Sequence, residues 1–499
     1  MKSGRWIATW GATALFAVSA CGTQAGRTGF EPSGGSSGAV QVGSSSSGSG
    51  GGGNSGGVSV GSSGSSGGST GVATCPNGGH TTVSGTVYDP AGRVPLYNVV
   101  VYVPVPGTTP PAITEGVVCD KCAGAQATGI AVALTDASGH FTLQDVPSGT
   151  NIPLVMQIGK WRRQTAIPTV ASCQDNPITD PNLTRLPKSQ SEGHLPQFAV
   201  STGHSDALEC LLRKIGIADS EFTTDSGNGR VHMYVGCVGS DGTSFGANKF
   251  AANLGGASFA SETTIFSSQA KINQYDVVVL SCEGHKCPDI QTDANGAVLK
   301  AFADAGGRVF LDHLHFNWLT KTDIRAWQDS ADYNGVGDDL EDPFTTNVDT
   351  TFPKGAAMSQ WLVNTGASTT AGQLVIHAGQ FSVNATIPPM SQQWIYTNDR
   401  ISIDGTDTQE PGVEYMTINT PVEIATSDPA DQCGRMVYTD LHVSDGPNSD
   451  SSDDATPFPG GCVTTDLSPQ EKALEFMLFD LSSCVQQETT KPVPPPVAQ

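Results

Sequence analysis

In the first folded stretch of the chain, hydrophobic and polar residues alternate in short runs, each ended by a turn. Val83-Ser-Gly-Thr-Val87 alternates and stops at Asp89-Pro-Ala-Gly92. Val99-Val-Val-Tyr-Val103 is β-branched and gives way to a loop from Pro104 to Pro111. Ala131-Val-Ala-Leu-Thr135 meets the turn Asp136-Ala-Ser-Gly139; His140-Phe-Thr-Leu143 meets Pro147-Ser-Gly149; Ile152 to Gln157 follows. A period of two, broken by Gly, Pro and Asp every ten or so positions, predicts a small β-sandwich over 81–175.

Near Gln197 the period changes. Phe198-Ala-Val200 reads as a strand, and Ser205 as the cap of a helix that buries Leu208, Leu211, Leu212 and Ile215 and ends at Gly216. Tyr275-Asp-Val-Val-Val-Leu280 is an unbroken apolar strand. Val298 and Phe302 mark a helix stopped by Gly306-Gly307, and Val309-Phe-Leu311 and Met436-Val-Tyr438 are further strands. Ser468-Pro-Gln-Glu471 is a capping box for a last helix burying Leu474, Met477, Leu478 and Leu481. This alternation predicts a flavodoxin-like α/β domain with a largely parallel sheet over 190–486. The β-rich stretch Gln373–Ile424 interrupts it, as an insertion or an antiparallel extension. The expected fold class is therefore multidomain.

The ends of the chain are different material. Lys2 and Arg5 precede a mostly apolar run from Trp6 to Ala20, and Val18-Ser-Ala-Cys21 follows. This resembles a bacterial lipobox, with Val18 where the pattern prefers Leu. It implies a signal peptide at 1–20, lipidation of Cys21 and a membrane partner held through that anchor; the alternative is ordinary cleavage that leaves Cys21 a thiol. Gly22 after the cysteine leans, by resemblance, towards the outer membrane or cell surface. Residues 21–73 are dominated by Gly and Ser. They are expected to stay a disordered linker with a reach of roughly 40 Å. Residues 487–499 form a proline-rich tail expected to be disordered.

Charge narrows the partners. With 25 Lys+Arg against 48 Asp+Glu the formal net charge is −23, and no basic cluster exists to displace counterions from a phosphate backbone, so no nucleic acid is expected. A carbohydrate or small-molecule ligand remains compatible with this. The oligomeric state is not readable. The acidic loops Asp338–Asp342 and Asp445–Asp454 lack the spacing of an EF-hand and read as solvated surface.

Twelve cysteines less Cys21 leave eleven, so disulfides with one thiol over are expected in an exported chain. The close pairs Cys119/Cys122 and Cys282/Cys287 are the expected local disulfides; zinc or redox chemistry is the alternative for the first.

Candidate chemistry collects at the predicted strand ends. Ser201-Thr-Gly-His204, Ser281-Cys-Glu-Gly-His285, Asp312-His-Leu-His315 and Thr439-Asp-Leu-His442 hold five of the ten histidines. In open α/β sheets ligands sit outside these ends. His313, His442, His285, Asp312 and Asp440 are the candidate crevice residues. His313, His315 and His442, with Asp312, Asp440 or Glu283, could hold a divalent metal, the one cofactor suggested. Alternatively a histidine serves as a general base, with Cys282 as a nucleophile unless it is bonded to Cys287.

Two resemblances add to this. Ser84-Gly-Thr-Val-Tyr-Asp89, Asp136-Ala-Ser-Gly-His-Phe141 and Asp145-Val-Pro-Ser-Gly149 resemble the carboxypeptidase regulatory-like domain, a transthyretin-like sandwich that is itself non-catalytic. Tyr275–Leu280, Ala305-Gly-Gly-Arg-Val-Phe-Leu-Asp-His313 and Gly434-Arg-Met-Val-Tyr-Thr-Asp-Leu-His442 resemble the ThuA-like branch of the class I glutamine amidotransferase-like fold. The family's histidines correspond to His313 and His442, and its association is with sugar metabolism. An amidotransferase needs a cysteine on the turn where His313 stands, so glutaminase activity is not expected. Nothing suggests the barrel or pyridoxal partner of a tryptophan synthase. The leading expectation is a surface binding or scaffold lipoprotein with a catalytically degenerate second domain. The alternative is a metal- or His-dependent hydrolase or lyase on carbohydrate-like substrates.

Overall fold

The computed structural model describes residues 75–122, 129–237, 246–340, 342–398, 411–443 and 456–495. The expected signal peptide, Cys21, the Gly/Ser spacer, the acidic loop 445–454 and the last residues of the proline-rich tail lie outside them. So do Glu341 and the side chains of Asp338 and Asp339 in the other acidic loop.

Eight strands form the first part: β1 (Thr82–Thr86), β2 (Val100–Pro104), β3 (Gly129–Leu134), β4 (His140–Leu143), β5 (Gly149–Ile158), β6 (Trp161–Val170), β7 (Asp175–Ile178) and β8 (Gly193–His194). They make a three-stranded sheet in the order β4-β1-β7 and a five-stranded sheet in the order β3-β2-β5-β6-β8. Alternation in β1 and β4 points Val83, Phe141 and Leu143 inward, against Val101, Leu154 and Met156 of the other sheet. The expected sandwich is therefore present, with β8 as its last strand.

The second part begins with β9 (Phe198–Thr202), β10 (Phe222–Thr223), β11 (Val231–Val235), β12 (Ala260–Ser261), β13 (Val277–Leu280) and β14 (Arg308–Asp312). It continues with β15 (Ala331–Asp339), β16 (Phe344–Val348), β17 (Gln373–Ile376), β18 (Gln380–Thr386), β19 (Gln392–Thr397), β20 (Gly412–Thr420) and β21 (Gly434–Thr439). Eleven of these share one mixed sheet, in the order β10-β11-β9-β13-β14-β21-β20-β19-β16-β17, with β12 beside β11. From β10 to β21 the neighbours are parallel; from β21 to β17 they are antiparallel. Of the two sequence alternatives for 373–424, the antiparallel extension is the one found. Central parallel strands are covered on both faces, which is why they read as continuous apolar runs. Phe198, Val200 and Val279 enter one core, and Ala199, Val278 and Leu280 the other.

The helix after β9 starts later than its sequence suggests. It spans Leu208–Lys214 with no side-chain cap. The backbone N–H groups of Ser205 and Asp206 instead both donate to the Cys282 carbonyl, 3.1 Å away, which holds this segment outside the helix.

The first part is seated on the second. Trp161 is fully buried between Phe198 of β9 and Phe479 of the helix Pro469–Ser482, with ring centroids 6.0 and 5.5 Å apart. At the β5–β6 turn Gly159 takes a positive φ of 50°, and a Cβ there would overlap the Ser482 carbonyl oxygen. Both parts contribute to one hydrophobic core.

The local disulfide pairings are corrected. Cys119 joins Cys433 and Cys122 joins Cys484; the others are Cys75–Cys173, Cys210–Cys462 and Cys237–Cys287. The reason lies in the backbone: Cys122 N–H donates to the Val485 carbonyl, and Val485 N–H to the Asp120 carbonyl. This short ladder lays Cys122 beside Cys484, with a Cα distance of 4.9 Å, while Cys119 lies 4.7 Å from Cys433. Cys282, expected to bond to Cys287, is a buried free thiol because Cys287 is taken by Cys237. Five disulfides are those of a chain that folds in an oxidising, extracytoplasmic compartment. Among the described residues no helix is long and apolar enough to cross a membrane.

Candidate functional site at the carboxyl ends of the parallel strands

The chain leaves β9 towards β11 and returns to β13 on the other side, so the strand order reverses between β9 and β13. Such a reversal leaves room outside the carboxyl ends, where α/β proteins place ligands. Here the room is filled with buried polar groups. A Cβ on Gly203, just past β9, would collide with the Cys282 carbonyl oxygen, so the two strand ends can close on each other only with glycine at that position.

Cys282, His313 and His442 follow the successive parallel neighbours β13, β14 and β21 and come together. Cys282 Sγ stands 3.5 Å from His313 Nδ1, and the His313 and His442 rings meet at 62° with centroids 5.1 Å apart. His313 has a φ of +34°, unusual for a residue with a Cβ. The Tyr438 hydroxyl, 2.9 Å from its carbonyl oxygen, helps fix that conformation. Burial pushes the His313 imidazole well below its ordinary range, and His442 adds to this, so the ring is neutral.

Asp312 and Asp440 support this trio from beneath. Asp312 Oδ2 accepts the Cys282 backbone N–H at 3.0 Å. Burial pushes its carboxyl up to about 8, against the lowering effect of a hydrogen bond with Asp206. Asp440 accepts the Ser382 N–H at 3.0 Å and lies 2.6 Å from the Tyr438 hydroxyl. Burial lifts it to about 7, against those hydrogen bonds. Burial, then any negative charge on Asp312, push the Cys282 thiol well above its ordinary range, away from the thiolate form a nucleophile needs.

His315 does not join His313 and His442, contrary to the expected metal trio. Residues 313–315 form a 3-10 turn, in which positions two apart face different directions. His315 Nε2 lies 3.2 Å from Glu283 Oε2 and 3.0 Å from the Ser281 carbonyl, while the Trp318 indole N–H donates to Nδ1 at 3.2 Å. Burial disfavours the imidazolium, but the Glu283 carboxylate outweighs it and lifts His315 to about 9. The indole donor at Nδ1 opposes a second proton there and works against this electrostatic lift; the proton that both agree on is the one on Nε2, facing Glu283 and the Ser281 carbonyl. Glu262 is buried beside Glu283 and is pushed well above the carboxylate range by burial and then by that neighbour. His285 and His204 are exposed, whereas His313, His315 and His442 are buried. Sequence reasoning gave no site role to Asp206, Glu262 and Ser382, which carry no motif, nor to Tyr438, which lies within the Gly434–His442 motif; the fold recruits all four.

No family model matches the chain, and no curated protein matches it. Among solved structures, a ThuA-like protein from Bacteroides uniformis is 10% identical over 49% of this chain and 80% of its own, with a TM-score of 0.24. A mutant type II cohesin–X-dockerin complex from Acetivibrio cellulolyticus matches at 18% identity over 30% of this chain and 79% of its own, with a TM-score of 0.15. A second mutant of that complex matches at 17% over 30% and 78%, with a TM-score of 0.14. At these scores none of the three bears on what the site does, which has to be argued from its own geometry.

Proposed function

We propose that this chain is a cell-envelope lipoprotein, anchored through Cys21 in the outer membrane or at the cell surface, whose body is a binding or scaffold module. The observation that carries the reading is at the turn after β14, where an amidotransferase would place its cysteine and this chain has His313. The nearest thiol among the described residues, Cys282, is buried, and burial pushes it well above its ordinary range. The lipobox-like Val18-Ser-Ala-Cys21 and the Gly/Ser spacer supply the tether. The stapled, acidic body suits a soluble module at its end, with a carbohydrate or small molecule as ligand.

Fractionation of wild type and Cys21→Ser tests the anchor. Wild type should pellet with membranes and the variant should appear in the soluble fraction; a variant retained at the wild-type level would falsify lipidation. The rival reading, a metal- or His-dependent hydrolase or lyase on carbohydrate-like substrates, draws on the meeting of His313 and His442. Turnover of a panel of aryl glycosides by wild type, lost in His442→Ala, would favour it over the scaffold.

A further inference from the structure

One cluster at the sheet end is used by neither the anchor nor the scaffold. Taking one ligand-type atom from each of Cys282, His313 and His442, all three lie within 4.8 Å of one another, and all three residues are buried. The 3.5 Å between Cys282 Sγ and His313 Nδ1 is close to the edge, about 3.5 Å, of a tetrahedron built on zinc–sulfur and zinc–nitrogen bonds of about 2.3 and 2.0 Å. His313 Nε2 is buried with no hydrogen-bond partner among the described residues, where a buried polar atom ordinarily has one.

The surroundings are short of cations. Asp312 and Asp440 are fully buried and have no lysine or arginine partner among the described residues. Some buried acids elsewhere do have a cation: Asp480 has Lys354 and Arg435, Glu471 has Lys214, and Asp276 has Lys160. A buried carboxyl without a cation is costly unless it stays protonated or a positive charge lies near.

We propose that Cys282, His313 and His442 bind one divalent transition ion of the zinc class, through Sγ and one ring nitrogen of each histidine. Sulfur and imidazole donors select such an ion over magnesium or calcium. Binding breaks the S–H bond of Cys282; the sulfur electron pair goes to the ion and the proton leaves to solvent. Asp312, on the backbone N–H of Cys282, and Tyr438, on the carbonyl of His313, hold two of the ligands in place. The inference does not depend on the anchor.

The test uses the full chain, extracted in detergent, loaded with Zn²⁺ or Co²⁺ and freed of excess by gel filtration. Wild type should retain about one ion per chain, and Cys282→Ala and His442→Ala should lower the retained metal by about tenfold or more. His140→Ala, in an exposed part of the sandwich, should leave it unchanged. Wild type that holds no ion, or Cys282→Ala and His442→Ala that hold as much as wild type, overturns the site and leaves a thiol–imidazole hydrogen bond. If the variants fail to fold, the cobalt spectrum of wild type decides. A thiolate-to-cobalt charge-transfer band is expected, and bound cobalt without that band overturns the proposal.

Discussion

Glu209 lies in the helix after β9, 1% exposed, and burial pushes its carboxyl up to about 8, with Asp206 acting in the same direction. Its folded-state value is thus raised above the ordinary 4.5. The stability it contributes is fully present below pH 4.5 and lost as pH rises through about 8. Asp89, raised to about 6 by burial, and Glu475, raised well above its range by burial, have the same sign. The thermal midpoint should therefore fall between about pH 5 and about pH 8.5. Glu209→Gln should match wild type at the lower pH and exceed it at the higher by on the order of 1 kcal/mol or more. Calorimetry at both pH values checks this, and parallel pH profiles would count against it. At this scale the candidate site was partly legible. His313, His442, Asp312 and Asp440 could be found because each sits at or just past the end of an apolar strand. The role of Cys282 could not be read, since it depends on Cys237 having already claimed Cys287.

The helix Pro469–Ser482 shows how far local sequence can specify an element. Its capping box is formed as read: Glu471 N–H donates to Ser468 Oγ at 3.1 Å, and Ser468 N–H to Glu471 Oε2 at 2.7 Å. The other oxygen of Glu471 accepts Lys214 at 2.7 Å, with both side chains buried. Ser468→Ala should cost about 1 kcal/mol, the usual effect of a lost cap. Glu471→Ala should cost about 3 kcal/mol or more, because it also removes the carboxylate from a buried ammonium. Denaturant titration of both variants measures the difference; equal losses would show that Lys214 gains nothing from Glu471. Where an element depends on distant partners, the sequence was silent. Ser205 has the chemistry of a cap, but the helix begins only at Leu208, with Ala207 in the cap position. The segment 373–424 alternates like any sheet, and only its pairing of β20 with β21 shows that it continues the parallel half.

Across the whole molecule, the sandwich and the α/β part are held by Trp161 in a shared core and by two long-range disulfides. Cys119–Cys433 and Cys122–Cys484 close separations of 314 and 362 residues. Cys122→Ser with Cys484→Ser should lower stability by about 2–5 kcal/mol. Mass spectrometry of unreduced peptides should recover the two long-range links; a Cys119–Cys122 peptide would contradict the fold. The sequence misled here because it displays only the spacing between the two cysteines, whereas the ladder of Asp120 and Cys122 with Val485 decides which thiols meet. That connectivity constrains how the protein can be made. Secretion delivers the amino end first, so Cys119 and Cys122 meet an oxidant long before Cys433 and Cys484 arrive. None of the five bridges joins cysteines that are consecutive along the chain. An oxidase coupling each arriving thiol to the one before it would produce wrong pairs throughout. Under such an oxidase the native set would be reached only by reshuffling through mixed disulfides, and the yield of this protein would then depend on a disulfide isomerase as well as on its own core.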